Sequence, residues 1–158
     1  MSSDGGSSGG TAPPVRRFDH IGITVSDLEE ATAFFVGLGF EIEGGPSPIE
    51  GAFIDTVTGI PDARSEILML RPPDGGTCLE LSSFAHPDHT PGNPHALANE
   101  LGLRSIAFEV DDVPSLVEKL AADGYGLIGG IGEYEDYWRM AYVRGPDGIT
   151  VALAQRIG

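Results

Sequence analysis

The chain has 158 residues, which is enough for one domain or for two small modules that share a core. Its 24 Asp and Glu residues against 9 Lys and Arg residues give a formal charge of −15, and so acidic a surface disfavours nucleic acid and anionic lipid as partners. No apolar run approaches the roughly 20 residues that span a bilayer, and the single cysteine, Cys78, excludes an intrachain disulfide and a multi-cysteine zinc site.

Residues 1–15 are polar and rich in Gly and Ser, a composition that predicts a flexible leader outside the folded part of the chain. This segment has neither the basic start nor the apolar stretch of a secretory signal. We therefore expect a cytoplasmic protein whose partner is a small molecule, with no nucleic-acid or membrane role.

Residues 16–84 are predicted to form a first β-α-β-β-β module. The alternating segment HIGITV, which begins at His20, predicts a strand with one buried face. Ser26 with Glu29 three residues later has the pattern of a capping box, and an amphipathic segment follows it. The helix is expected to end near Gly39, since glycine suits a left-handed helix cap.

A second copy of this module is predicted at residues 103–158, after an ordered inter-module loop at 85–102. Residues 20–40 align with residues 105–125 without a gap, so both copies have the strand, the helix entry and the final glycine. In the second copy Asp111 or Asp112 can cap the helix.

The later parts of the two copies also match. A short strand is expected near residues 40–44 and again near 125–129. The segments 64–84 and 138–155 each read as strand, Pro-Asp-Gly turn and strand. Aligning the two turns, with one residue fewer in the second copy, places Glu80 opposite Ala152.

Side chains alternate along a strand, so the face turned away from the helix can be predicted. If the isoleucines of the first strand pack under its helix, His20 and Glu80 lie on the opposite face, with Ser105 and Ala152 at the equivalent positions. The expected fold is α+β, with two tandem βαβββ modules forming a curved mixed sheet around a cavity that these four residues line.

This arrangement resembles the vicinal oxygen chelate superfamily, which includes glyoxalase I, methylmalonyl-CoA epimerase, extradiol dioxygenases and the bleomycin- and fosfomycin-resistance proteins. The resemblance extends from about Arg17 to Gln155. It rests on FDHIGITVSDLEEATAFFVGLGFEI, GTCLELSSF, LGLRSIAFEVDDVPSLVEKLAADG and YEDYWRMAYVRGPDGITVALAQ. Modules of this family commonly pair between chains, so the resemblance also implies a homodimer.

For the metal-dependent members, the resemblance implies one divalent ion held from four equivalent positions, often by His and Glu. His20 and Glu80 match the first two positions, whereas Ser105 and Ala152 occupy the other two. Alanine offers no ligand atom and neutral serine is a poor ligand for zinc-like ions. The resemblance therefore leaves two alternatives: a divalent metal ion bound through His20 and Glu80, or a site that works without a cofactor.

Other polar and aromatic residues are candidates for the walls of the cavity. Tyr134 is expected to donate to a developing oxyanion, and Glu135 to act as a second base. The predicted substrate contacts are Asp55, Ser105, Glu109, Trp138, Arg139 and Tyr142. Two alternatives stay open. Asp55 can be a turn residue, and the later residues can instead form a hydrogen-bonded cluster at a strand edge: Tyr134, Glu135, Arg139 and Tyr142.

Two functions fit these residues. The first is a glyoxalase-like lyase or isomerase, in which His20 and Glu80 carry out acid/base chemistry on an oxygenated, carbonyl-bearing metabolite. The second is a non-catalytic protein of the same fold that binds a small molecule such as an antibiotic. The acid/base pair favours the enzyme, and the missing half of the metal-ligand set favours the binding protein.

Overall fold

The computed structural model describes residues 10–158, and its first half forms a four-stranded mixed sheet. The strand order is β1-β4-β3-β2, with β1 parallel to β4 and the other neighbours antiparallel. Its strands are β1 (His20–Thr24), β2 (Glu41–Glu50), β3 (Arg64–Arg71) and β4 (Cys78–His86). Helix α1 (Leu28–Gly37) connects β1 to β2, and a short helix α2 (Ala52–Thr58) connects β2 to β3.

The second half repeats this topology. The strand order is β5-β8-β7-β6, again with one parallel pair, β5 and β8, and two antiparallel pairs. Its strands are β5 (Ile106–Glu109), β6 (Gly132–Tyr134), β7 (Trp138–Arg144) and β8 (Thr150–Arg156). Helix α3 (Val113–Ala122) follows β5 as α1 follows β1, so the prediction of an α+β fold with two tandem modules is confirmed.

An aspartate side chain caps the N-terminus of each of the two longer helices. Asp27 caps α1 by accepting a hydrogen bond from the backbone N–H of Glu30, and Asp112 caps α3 by accepting one from Ser115. Asp112 is one of the two caps predicted for α3. The capping box predicted at Ser26 is wrong, because Ser26 precedes the Asp27 cap and donates its hydrogen bonds to Asp147 instead.

Glycines close both helices as predicted. Gly39 has φ of 109° and Gly124 has φ of 98°, values in the region that a residue with a Cβ atom rarely adopts. The two helices therefore turn toward their next strands at the same point of each module.

The segments before each late hairpin depart from the predicted pattern. The strand expected at 40–44 extends through residue 50, with two irregularities in its pairing to β3. The strand expected at 125–129 is reduced to a single bridge between Leu127 and Val143, and the pairing strand β6 comes later. The glycines at 126, 129 and 130 disfavour a continuous strand in this segment.

A single hydrophobic core joins the two modules on their helix-bearing faces. Phe34 in α1 packs edge-to-face on Tyr125 of the second module, with ring centroids 4.8 Å apart. Phe40 and Phe108 make a second such contact at 5.3 Å. The fully buried side chains come from both halves: Phe35, Leu70, Leu79, Leu81, Leu153, Val25, Val113, Val143 and Val151.

Hydrogen bonds between distant parts of the chain also connect the modules. The Asp147 carboxylate accepts from both the backbone N–H and the hydroxyl of Ser26, and the Tyr125 hydroxyl donates to Glu30 at 2.8 Å. Asp147 belongs to the second Pro-Asp-Gly turn, so that turn is bound directly to the start of α1.

Some predictions concern features beyond the described fold. Most of the predicted leader, residues 1–9, lies outside the described residues. The homodimer, the cytoplasmic location and the exact module boundaries stay predictions. Within residues 10–158, no helix has the length and hydrophobicity that crossing a membrane requires.

Candidate functional site

A cavity of about 860 Å³ lies between the two modules. One wall is β1 and the other is the segment that leads into β5, and both strands are at the free edge of their sheet. The loop around residues 89–94 and the turn at 147–150 complete the walls, which are mostly apolar. A pocket of this size and character is typical of small-molecule sites.

His20 lines this cavity, and carboxylates lie on both sides of its ring. Its Nδ1 is 2.7 Å from the Asp19 carboxylate, and its Nε2 is 3.8 Å from the Glu80 carboxylate. The shorter contact, to a carboxylate, places a proton on Nδ1, so in the neutral ring Nε2 carries the lone pair. The hydrogen bond from His20, together with Arg17, lowers the pKa of Asp19 and keeps it ionised.

The strand register brings Glu80 to His20. In the parallel pair of β1 with β4, Gly22 is the partner of Glu80, and His20 is the partner of Cys78 on the same face. Gly22 follows His20 on this face of β1 and lies directly beside Glu80. Because glycine has no side chain, nothing separates the His20 ring from the Glu80 carboxylate. The register confirms that these two residues share a face, but only His20 is among the residues that line the cavity, which corrects the prediction that Glu80 lines it too. Their roles stay predictions.

The equivalent positions of the second module differ in environment. Ser105 lies just before β5 and lines the cavity opposite β1. Ala152 does not line the cavity, because it is only 2% exposed and lies in register between Ala107 and Tyr142. The structure therefore brings His20 and Ser105 to one cavity, whereas Ala152 is buried within the second sheet.

The donor atoms around His20 do not make up a metal site with three protein ligands. His20 Nε2 and Glu80 contribute two donors, and Ser105 and Ala152 add no carboxylate, imidazole or thiolate. Within residues 10–158, no group of three or more His, Cys, Asp or Glu side chains is placed to hold an ion. A metal ion would need further ligands from outside this set.

Cys78 and Glu43 border the same face of the first sheet. The Cys78 thiol donates to Glu43 at 3.5 Å, and partial burial with this carboxylate raises the pKa of the thiol. The thiol is therefore less available as a nucleophile than a free cysteine.

The structure places three of the other candidates outside the cavity. Tyr134 is 64% exposed at the end of β6, and Glu135 follows it in an exposed turn with φ of 49°. Glu109 is exposed at the end of β5. None of the three lines the cavity that contains His20, so their predicted roles find no support in the geometry of this chain.

Three candidates on β7 occupy distinct positions. Trp138 stacks under the Arg156 guanidinium at 5.6 Å, and Arg139 is paired with Glu133 at 2.8 Å. Tyr142 lies on the face that carries Ala152. The Arg139 contact is of the strand-edge kind that the sequence left open, and none of the three residues on β7 lines the cavity.

Asp55 stabilises a turn away from the main cavity. Its carboxylate accepts hydrogen bonds from the backbone N–H groups of Asp62 and Ala63, at 3.1 and 2.9 Å. It borders a separate pocket of about 290 Å³ together with His86. These contacts agree with the alternative in which Asp55 is a turn residue.

Several residues around the cavity are missing from the candidates chosen on sequence. Asp19 immediately precedes His20, and this adjacency is the sequence signal that could have identified it as a partner of the imidazole. His89 lines the cavity, and its Nε2 accepts a hydrogen bond from the Phe84 N–H at 3.1 Å, which ties the inter-module loop to the end of β4. Arg104 also lines the cavity, and nothing in its surrounding sequence marks it.

Comparison with known proteins places this fold among established ones. Residues 17–153 match the family model of the Glyoxalase/Bleomycin resistance protein/Dioxygenase superfamily. A glyoxalase family protein from Bacillus cereus is 34% identical, with a TM-score of 0.87 over 92% of this chain and 97% of that one. No curated protein matches the chain.

Two more distant solved structures share the fold. An antibiotic binding protein from Streptomyces sp. CB03234 is 20% identical, with a TM-score of 0.59 over 92% of this chain and 99% of that one. A glyoxylase/bleomycin resistance protein/dioxygenase domain from Frankia sp. EAN1pec is 16% identical, with a TM-score of 0.63 over 90% of this chain and 93% of that one. At these identities the likeness concerns the fold alone. Since the family model matches most of its length, the chain belongs to the Glyoxalase/Bleomycin resistance protein/Dioxygenase superfamily.

Proposed function

We propose that this protein is a lyase or isomerase that uses His20 as a general base on a small carbonyl-bearing molecule. The observation that carries the proposal is the geometry of His20. The residue lines a mostly apolar cavity while its Nδ1 is bound to Asp19 at 2.7 Å. A histidine held in one tautomer by a carboxylate presents its other nitrogen as a base.

The two carboxylates stabilise the charge that proton transfer would create. When Nε2 accepts a proton from the carbon beside the substrate carbonyl, the ring becomes a cation between Asp19 and Glu80. These groups lie 2.7 and 3.8 Å from the two ring nitrogens, and each attracts the cation. The same cation can return the proton to a different atom, which completes an isomerisation or an elimination.

The donor set supports a reaction that needs no metal ion. His20 and Glu80 are sufficient for proton transfer, whereas they supply only two of the three protein ligands that catalytic zinc sites generally use. We therefore propose that the metal alternative requires a ligand from a second chain or from the substrate.

Proton abstraction can be tested without knowing the natural substrate. The protein is incubated in D₂O with a panel of hydroxyketones, ketoacids and aldehydes, and NMR follows deuterium incorporation beside the carbonyl. Loss of exchange in His20→Ala and Glu80→Ala is expected. His95→Ala and Glu66→Ala are matched controls, since both residues are exposed and neither lines the cavity.

The outcomes separate the versions of the proposal. Wild-type exchange rates in both His20→Ala and Glu80→Ala would refute it. Exchange that persists in EDTA supports the metal-free version, whereas loss in EDTA with recovery on adding a divalent metal would assign the reaction to a metal site.

A non-catalytic binding protein is the second candidate function. Its specific support is the cavity of about 860 Å³, which is large, mostly apolar and provided with only half of the usual metal-ligand positions. The fold is also that of an antibiotic binding protein from Streptomyces. A ligand that binds and is recovered unchanged after prolonged incubation would favour this candidate, and chemical conversion of that ligand would exclude it.

A further inference from the structure

The cavity follows the whole length of β1. Every residue from 20 to 26 lines it, and β1 is an outermost strand, with β4 as its neighbour on one side only. The cavity therefore lies along the free edge of β1, where backbone hydrogen-bonding groups have no further strand to pair with. Five residues at about 3.3 Å each give this wall a length of about 16 Å.

The hydrogen bonds at the end of β1 show which backbone groups face the free edge. The Val25 N–H donates to the Ser82 carbonyl of β4, whereas the next N–H, that of Ser26, donates to the Asp147 carboxylate on the other side. In a parallel pair, alternate residues direct both their N–H and their C=O to the same side. The residues of β1 that direct these groups to the free edge are His20, Gly22 and Thr24. Within residues 10–158, none of these backbone groups has a hydrogen-bond partner.

The other sheet edges have features that discourage a further strand from pairing. β2, the opposite edge of the same sheet, contains Pro46 and Pro48 and has two irregularities in its register. In the second sheet, β6 has only three residues, and β5 ends in the charged Glu109. Prolines, bulges, charges and short length are the usual protection of a sheet edge.

β1 has none of these protections. Its sequence, HIGIT, contains no proline, lysine, aspartate or glutamate, and its register with β4 has no bulge. Two of its five residues are isoleucine, which favours strand pairing. Among the edges of the described strands, the unprotected one is therefore the one that the cavity follows.

The space beside this edge is open. A Cβ atom added at Gly22, in the middle of β1, would meet nothing within 4 Å. The loop on the opposite wall contributes Pro91 and Pro94, which have no N–H to pair with β1. In the described part of the chain, no bridge connects β1 to β5. The cavity of about 860 Å³ can therefore receive an extended chain along β1.

From the coincidence of an open cavity with an unprotected edge, we propose that the protein binds a short extended peptide, which adds a strand to β1. A peptide backbone repeats its N–H and C=O groups at the same two-residue spacing as the free groups of β1. The side chains of the added strand alternate, so every second one lies beside Ile21 and Ile23, where apolar residues fit. This binding goes beyond the proposed function, since it uses the strand edge and not the His20 imidazole.

Labelled peptides test whether the ligand backbone forms the contact. Fluorescence anisotropy is measured with fluorescein-labelled pentapeptides of the form Val-X-Val-X-Val, in which X is Thr, Ser, Gln, Asn or Lys. At least one is expected to bind, and its analogue with every backbone nitrogen methylated should bind at least about tenfold more weakly, because it cannot donate backbone hydrogen bonds. Absence of binding by every peptide, or equal binding of the methylated analogue, would overturn the proposal.

Amide exchange locates the contact on the protein. In ¹⁵N-labelled wild-type protein, the amides of Ile21 and Ile23 should exchange slowly with D₂O, since they pair with β4, and those of Gly22 and Thr24 quickly. Adding the peptide that binds best should slow exchange at Gly22 and Thr24. Unchanged exchange at both, with the peptide bound, would place the peptide elsewhere and refute pairing with β1.

A proline variant tests the edge without breaking the sheet. Thr24→Pro removes one outward N–H and keeps the hydrogen bonds to β4, so peptide binding should weaken at least about threefold. Glu109→Pro is the matched control: Glu109 is the equivalent residue of β5, it also directs its N–H outward, and it does not line the cavity. This control should bind like wild type. Wild-type affinity in a folded Thr24→Pro would contradict the proposal, and if thermal unfolding shows that this variant does not fold, amide exchange in the wild-type protein decides.

Discussion

The contact between Phe34 and Tyr125 is predicted to couple the stability of the two modules. The rings meet edge to face with centroids 4.8 Å apart, and Phe34 makes a second contact of this kind with Phe35 at 5.1 Å. Each such pair contributes about 0.5–1.5 kcal/mol beyond area burial. Phe34→Leu keeps an apolar side chain but loses both pairs, so it should lower the free energy of unfolding by about 1–3 kcal/mol.

A double-mutant cycle isolates the part of this effect that crosses the modules. Phe34→Leu, Tyr125→Leu and the double variant are unfolded in urea, followed by Trp138 fluorescence and far-UV circular dichroism. We expect a coupling energy of about 0.5–1.5 kcal/mol. Tyr125→Phe removes only the hydroxyl that bonds to Glu30, so a cycle built with it should show almost no coupling to Phe34.

The exposed Phe53 provides a matched control for the same substitution. Its side chain is 70% exposed in α2, so Phe53→Leu and Tyr125→Leu should add within about 0.3–0.5 kcal/mol. If Phe34 and Tyr125 are equally additive, or if the two probes report separate unfolding transitions, the shared core described above is wrong.

Three further predictions follow from titratable groups. Cys78 should react with iodoacetamide more slowly than glutathione at pH 8, since its pKa is raised, and Glu43→Gln should speed the reaction. In a spectrophotometric titration one tyrosine should ionise at about pH 12, and Tyr125→Phe should remove that step, because burial and Glu30 raise its pKa to about 12. The Asp112 cap has a lowered pKa, mainly through the Ser115 N–H. Its stabilisation is therefore present above the unfolded-state pKa and lost as pH falls through the folded one, so Asp112→Ala should shift the urea midpoint at pH 7 and much less near pH 2.

The duplicated pattern of the sequence was sufficient to predict the topology. The alternation of His20 to Thr24, the glycines at the helix ends and the two Pro-Asp-Gly turns are local signals, and each was present in both copies. Where local signals compete, prediction was less accurate. Ser26 and Asp27 are both good caps, and the interaction with Asp147, 121 residues away, engages Ser26.

The site was harder to predict because it depends on how the two modules pack. Alternation along β1 and β4 was enough to bring His20 to Glu80. It did not show that the cavity follows the edges of β1 and β5, so Tyr134 and Glu109 were expected at walls that they do not line.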